Sequence, residues 1–149
     1  MRGYFGIGVH QPKYHQNIGT LWRSAYQLGA SYMFIIGQER YKKQNSDTYC
    51  SWKHIPLIRF SDFESFYESI PYSCILVGIE TNGAPIINYT HFQREIFLLG
   101  SEDNGLPNNI LAKCHKIIQI PAIRQHSYNV AVAGSLIMFN RFMQNGKGE

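Results

Sequence analysis

No stretch of this sequence approaches the run of about 20 apolar residues that a membrane-spanning helix needs. The first residues, M-R-G-Y-F-G-I-G-V-H, carry no signal-peptide cleavage pattern and read as a strand. The expectation is a soluble chain that stays in the cytoplasm and has no membrane partner. Cysteine is scarce: Cys50, Cys74 and Cys114 are odd in number and widely spaced, with no C-x-x-C pair. That argues against a disulfide framework, a structural zinc site or any metal. It argues for buried or half-buried thiols in a reducing compartment. There is no G-x-S-x-G elbow, so acyl transfer has little support. Gly6-x-Gly8 lacks the third glycine of a dinucleotide fingerprint, because Gln11 stands there. Basic residues form no block beyond Arg40-Tyr41-Lys42-Lys43. A net charge of +4 and a pI near 9.0 suit a polyanion met by dispersed charges without demanding one. For a single basic patch, a solvated face is the commoner account.

What is present is a core. The chain has 149 residues, 44% of them hydrophobic, with 10 Tyr and 9 Phe. That is enough for one domain spanning residues 1–149. Tyr4 to Val9 alternates as a strand whose glycines permit close backbone approach. Ile18 to about Leu28 repeats its apolar residues at helical spacing, with Asn17 as N-cap and Gly29 as C-cap. Tyr32 to Ile36 is a second strand, which makes a βαβ unit and a parallel sheet. The polar segment from Gly37 to Trp52 is long for a loop, and such loops are usually functional or mobile. Ile55 to Phe60 reads as an edge strand. Ser61-Asp62-Phe63-Glu64 has capping-box spacing and opens a helix to about Ser69, stopped by Pro71. Cys74 to Ile79 and Glu95 to Leu99 are buried strands. A helix starts with Pro107 at its first position and runs to about Cys114. Lys116 to Ile120 is the last strand, Asn129 to about Met143 the last helix, and the tail from Gln144 is frayed.

Chemistry collects where strands end. Glu80–Pro85, Gly100–Leu106 and Ala122–Tyr128 each follow an apolar strand, and ligands of open parallel sheets sit outside the carboxyl ends of strands. The loops suit backbone contacts to a ligand with a purine and an amino acid part. The Gly100 turn is no phosphate cradle, since it lacks the P-loop lysine and carries Glu102 and Asp103. An acidic, backbone-rich site fits a neutral or cationic ligand. In the third loop, a helix cap accounts for one of Ser127 and Asn129. A ligand pocket accounts for the pair together with Arg124. The stretch alone leaves both readings open. Arg23, beside Trp22, reads in isolation as a solvated helix-face arginine sooner than as an anion-binding one.

Three segments together carry a resemblance. Asn17-x5-Arg23, with Ala25 and Gly29, resembles the first motif of the SpoU (TrmH-like) family of the SPOUT methyltransferase superfamily. F-L-L-G-S-E-D-N-G-L at 97–106 resembles the second, and I-P-A-I-R-Q-H-S-Y-N-V-A-V-A at 120–133 the third. They occur in family order and spacing, and the resemblance covers essentially the whole chain. It implies an α/β fold of the SPOUT α/β-knot type, a largely parallel sheet flanked by helices with a C-terminal deep trefoil knot. True knots are essentially absent from proteins at large, so no periodicity argument produces one.

The resemblance further implies a homodimer that binds S-adenosylmethionine and methylates a ribose 2′-hydroxyl of RNA, with tRNA placed ahead of ribosomal RNA. The donor would meet backbone at Ile79, Glu80, Gly100, Ile120 and Tyr128, with Ser127 close by. Arg23 is the implied catalytic group. A guanidinium with a pKa above about 12 is a poor base, so a clamp on the target's phosphate and ribose is preferred, with base catalysis as the rival. Asn17 would orient Arg23 or the phosphate, and Glu102, Ser127 and Asn129 would hold the loops and the ribose edge. Arg124 and His126 read either as phosphate contacts or as solvated surface. The chain departs from the family pattern at Tyr128, where the motif usually has Leu, and at Ala122, often Met. Many relatives carry a further RNA-binding domain or extension that is not seen here. RNA would then be held by the catalytic dimer, with the Arg40–Lys43 loop and charges from the opposite subunit. Two alternatives stand beside this reading. One is a non-catalytic RNA- or ribosome-binding module that keeps the fold. The other is a base-directed RNA methyltransferase, for which Asp103 is the loop carboxylate available.

Overall fold

The computed structural model describes residues 3–37, 53–124 and 126–145. The Arg40–Lys43 cluster, Cys50 and nearly all of the Gly37–Trp52 loop lie outside the described residues. In chain order the elements are β1 (Tyr4–His10), α1 (His15–Leu28), β2 (Tyr32–Ile36), β3 (Leu57–Phe60), α2 (Phe63–Ser69), β4 (Ile75–Pro85), a 3-10 turn (Ile86–Asn88), β5 (Arg94–Leu99), α3 (Asn108–Leu111), β6 (Lys116–Gln119) and α4 (Val130–Asn145). The strands form one six-stranded sheet in the order β3-β2-β1-β5-β4-β6. Every pairing is parallel. This is the α/β architecture expected, with β3 at one edge.

The alternation of β1 divides the core between two faces of the sheet. Phe5, Ile7 and Val9 point into a cluster with α1 and α4, where Leu21, Trp22, Ile137 and Met138 are buried. On the other face Phe34 stacks on Phe66 of α2 with centroids 4.3 Å apart. Ile110 of α3 closes that cluster. Gly6 and Gly8 leave the room taken by the rings of Tyr32 and Phe34; a Cβ on Gly8 would fall 2.4 Å from the Phe34 carbonyl oxygen. Cys74 is buried and Cys114 half-buried, both free thiols, and burial pushes the Cys114 thiol up to about 11.

Several boundaries differ from the sequence reading. Helix α1 begins one turn earlier, with Tyr14 as N-cap and no side-chain capping bond. Asn17 is therefore not a cap but an interior residue, whose amide is engaged across the fold. Gly29 closes α1 with φ 88°, as expected. The cap of α2 is Asp62, not Ser61: its carboxylate accepts the N–H of Ser65 at 2.8 Å. Pro107 precedes α3 as its N-cap with ψ 151°, and α3 ends at Leu111 instead of reaching Cys114. Of the tail expected to fray from Gln144, residues 146–149 lie outside the described residues. Gln144 and Asn145 complete α4, and the Gln144 amide binds the Tyr89 carbonyl and the His91 N–H.

The largest difference is in β4, expected to end in a turn at Glu80. It continues to Pro85, and both Ile79 and Ala84 pair with Ile118 of β6. Residues 80–83 are looped out between two stretches of one ladder. The Gln119 amide donates to the Gly83 carbonyl at 2.8 Å and holds the excursion against β6.

Candidate functional site

The carboxyl ends of β4, β5 and β6 converge on a cavity of about 590 Å³. Its floor is apolar, with Ile79, Leu99, Val130 and Ala133. Its walls are the three loops singled out above. Ile79, Glu80, Gly100, Ile120, Ser127 and Tyr128, the six positions expected to meet a donor, all line it, and so do Glu102, Arg124 and His126. The first stretch of β4 stops at Ile79, level with the ends of β5 and β6, so segments far apart in sequence meet there.

The middle loop is bent back on itself. Ser101 and Gly105 form an isolated antiparallel bridge. The fold is tight enough that a Cβ on Gly100 would lie 2.2 Å from the Gly105 carbonyl carbon. Glu80 fixes this bend from the neighbouring strand: its carboxylate accepts the N–H of Leu106 at 2.9 Å and that of Thr81 at 2.9 Å.

A second set of hydrogen bonds joins the loops through α1. Glu102 accepts from the Asn17 amide at 3.0 Å and from the Lys13 backbone N–H at 2.9 Å. The Asn17 carbonyl in turn accepts from the Asn129 amide at 3.0 Å. The Asn129 side-chain oxygen receives the N–H groups of Ala131 and Val132 at 2.9 and 3.2 Å, opening α4. Asn129 is thus a helix cap and a member of the site network at once. A side-chain amide can accept at the helix and donate elsewhere, so the two readings of this residue are compatible. Asn17 is buried where it makes these bonds, and its amide uses both ends. The Tyr128 hydroxyl donates to the Pro121 carbonyl at 2.8 Å and closes the third loop on itself.

Not every expected residue reaches the cavity. Asn17 and Asn129 stand behind its wall. Arg23, half-buried on α1, is not among the lining residues. Lys13 was missed by sequence reasoning; its ammonium also pairs with Asp103 at 2.7 Å. A lysine in a polar loop gives no hint of a partner some 90 positions away. Among the described residues no group of three or more His, Cys, Asp or Glu is placed to hold a metal ion. Among them, too, no helix is long and apolar enough to cross a membrane.

The family model described as the SpoU rRNA Methylase family matches residues 5–139. This chain belongs to that family. A relative from Staphylococcus aureus (strain COL), named as a TrmH family tRNA/rRNA methyltransferase, is 26% identical over 143 residues. The alignment covers 91% of this chain and 56% of the relative, so the chain spans little more than half of that relative's length. Among solved structures, one described by the 2-OH methylation of C/U34 on tRNA superposes with a TM-score of 0.88 at 23% identity, covering both chains fully. The SpoU methyltransferase AviRb from Streptomyces viridochromogenes, in complex with AdoMet, gives 0.86 at 23% identity over all of this chain and 60% of that one. The likeness extends the SpoU fold over the whole described sheet.

Proposed function

We propose that this SpoU-family chain is an S-adenosylmethionine-dependent RNA methyltransferase that modifies a ribose 2′-hydroxyl, with tRNA as the preferred substrate. One observation carries the reading. All six positions that the family motifs assign to the donor line a single cavity, and the Asn17–Glu102–Asn129 set braces its walls. The tRNA 2-OH methylation structure, matched end to end without added domains, supports the substrate class. AviRb with bound AdoMet supports the donor.

The residues fit that donor. A cavity of about 590 Å³ lies within the range of roughly 300–1,000 Å³ usual for small-molecule sites. Its apolar floor suits a purine. The carboxylates of Glu80 and Glu102 are compatible with a cationic sulfonium and ammonium, where they would oppose a phosphate. The donor, when bound, would supply an electrophilic methyl carbon on a sulfonium: the ribose oxygen would bond to that carbon in line while the C–S bond breaks and the neutral thioether leaves. The chain's share is positioning. Ile79, Glu80, Gly100, Ile120, Ser127 and Tyr128 hold the donor, largely through backbone. Arg23, outside the donor cavity, clamps the phosphate and ribose of the target and stabilises the negative charge that develops on the 2′-oxygen as its proton passes to solvent water. The Asn17–Glu102 pair keeps α1 and the middle loop in register.

We also propose a homodimer, in one domain that carries the family's C-terminal knot. Val132, Leu136, Phe139 and Met143 recur at helical spacing along α4 and are all exposed. An apolar stripe of this kind marks an interface. Phe139→Glu is expected to convert a dimer into a folded monomer, read by sedimentation velocity and circular dichroism. A variant that sediments like the wild type would remove α4 from the interface.

Methyl transfer from isotope-labelled S-adenosylmethionine to unfractionated tRNA and to ribosomal RNA, followed by nucleoside mass spectrometry, tests the activity. A labelled 2′-O-methyl nucleoside from tRNA is the expected product. Label on a base would move the chemistry to base methylation. Absence of donor binding would favour an RNA-binding module.

A further inference from the structure

The loop between β1 and α1, fastened to the cavity wall through Lys13, carries an aromatic ring in a position that helix-capping chemistry does not explain. Tyr14 is the N-cap of α1 and makes no side-chain capping bond. That position strongly prefers Ser, Thr, Asp or Asn, whose oxygens satisfy the first free N–H groups. The Tyr14 ring is instead left 47% exposed. It is not loosely held. The preceding residue, Lys13, is fastened to the cavity wall twice, through its N–H to Glu102 at 2.9 Å and through its ammonium to Asp103 at 2.7 Å. The same ammonium lies 5.4 Å from the centre of the Tyr14 ring. Both carboxylates line the cavity. The loop starts from Gln11, a non-glycine residue at φ 49° that is held by its N–H to the Ile36 carbonyl at 2.6 Å. An anchored loop thus holds a half-exposed aromatic ring next in sequence to the residue bound to the cavity wall.

We propose that Tyr14 is the platform on which an unstacked base of the RNA substrate rests while its ribose faces the donor cavity. The inference rests on the RNA methyltransferase reading and names how that site would hold single-stranded RNA. Bases in loops and bulges are recognised by stacking on aromatic rings, and such stacking is tolerant of sequence because every base has a π face. Lys13 holds positive charge over one face of the ring, so the base takes the other face with its phosphate near the ammonium. Its pairing with Asp103 fixes the ammonium at the rim.

Tyr14→Asn separates a platform from a structural role. Asparagine is a better N-cap than tyrosine, so the variant is expected to melt higher, by about 2–4 °C. S-adenosylmethionine affinity should be unchanged. Binding of a short single-stranded oligoribonucleotide of mixed sequence, and of unfractionated tRNA, should weaken about 5- to 150-fold, the range for loss of one base–aromatic stack. Duplex RNA, which offers no open base face, should bind the two proteins alike. Tyr14→Trp should restore the lost affinity. Unchanged single-strand binding by Tyr14→Asn would overturn the platform, and so would a lower melting temperature with loss of donor affinity, which would make Tyr14 structural. If the wild type bound no RNA at all while the chain stayed folded, the methyltransferase reading itself would fail and the platform with it.

Discussion

Arg23→Ala is expected to lower kcat for methyl transfer by about 100- to 1,000-fold, the usual cost of removing one group aimed at charge that develops in a transition state. Donor affinity should stay near that of the wild type. The expectation follows from where the residue stands: it belongs to the first family motif, yet it lies on α1 and is not among the residues lining the donor cavity. The bonds that hold Glu102 from Lys13 and Asn17 remain in its absence. Isothermal titration with S-adenosylmethionine and single-turnover transfer to RNA read the two effects separately. Arg23→Lys keeps the charge but loses the planar fork that grips phosphate and ribose oxygens together, so it should restore only a small part of the rate. Collapse of donor binding in Arg23→Ala would make the residue a support of the fold and remove it from the reaction.

The second large effect is on stability and arises at the opposite end of the sheet. Glu95, the second residue of β5, is completely buried. One carboxylate oxygen meets His91 Nδ1 at 2.6 Å and Arg141 Nε at 3.0 Å. The other accepts from the Tyr89 hydroxyl at 3.0 Å and the Phe92 N–H at 3.2 Å. Arg141 goes on to the carbonyls of Phe92 and Gln93 and lies over the Phe5 ring. His91 Nε2 reaches Asn140 at 2.8 Å. The network ties the segment before β5 to the last turns of α4. Glu95→Ala would strand a buried guanidinium without its counter-charge, and breaking such a pair from one side costs about 3–5 kcal/mol. For a chain of this length, that is a fall in melting temperature of roughly 10 °C. Because the network sits at the amino ends of the strands and the cavity at their carboxyl ends, folded Glu95→Ala should bind S-adenosylmethionine normally at low temperature. A drop of only a degree or two would mean that water or rearrangement satisfies Arg141, and that the network contributes little.

Glu95 also illustrates the limit of reading by pattern. The segment E-I-F-L-L was legible as a buried strand, and its apolar residues are indeed buried. Its glutamate falls inside that strand, and the pattern indicates no partner for it. A carboxylate at the head of an apolar strand, four positions after a histidine, is a weak hint of a buried ion pair. Arg141, the partner that makes burial tolerable, lies 46 positions away. The same distance problem explains Asn17. An asparagine just before an apolar helical repeat is the ordinary signature of an N-cap, yet its amide is drawn inward by Glu102 and Asn129, and the helix extends a turn beyond it. In β4 the apolar run ends at Ile79 as expected. Strand pairing with β6 then resumes at Ala84, a return that depends on a neighbour no local pattern contains.

Local chemistry and chain order carried a good deal. The alternation of β1, the helical spacing of α1 and the left-handed Gly29 specify elements whose physics is confined to a few neighbouring residues. Three motifs in order were enough to indicate the SpoU family, and the matched family model spans them all. Tertiary structure alone decided that the excursion within β4 and the loops after β5 and β6 enclose one cavity, that Asn129 both caps α4 and braces the site, and that Lys13 is fastened to the cavity wall. These are outcomes of parallel pairing between strands distant in sequence. Such pairing brings ends together at a level set by register, and register is a property of the assembled sheet.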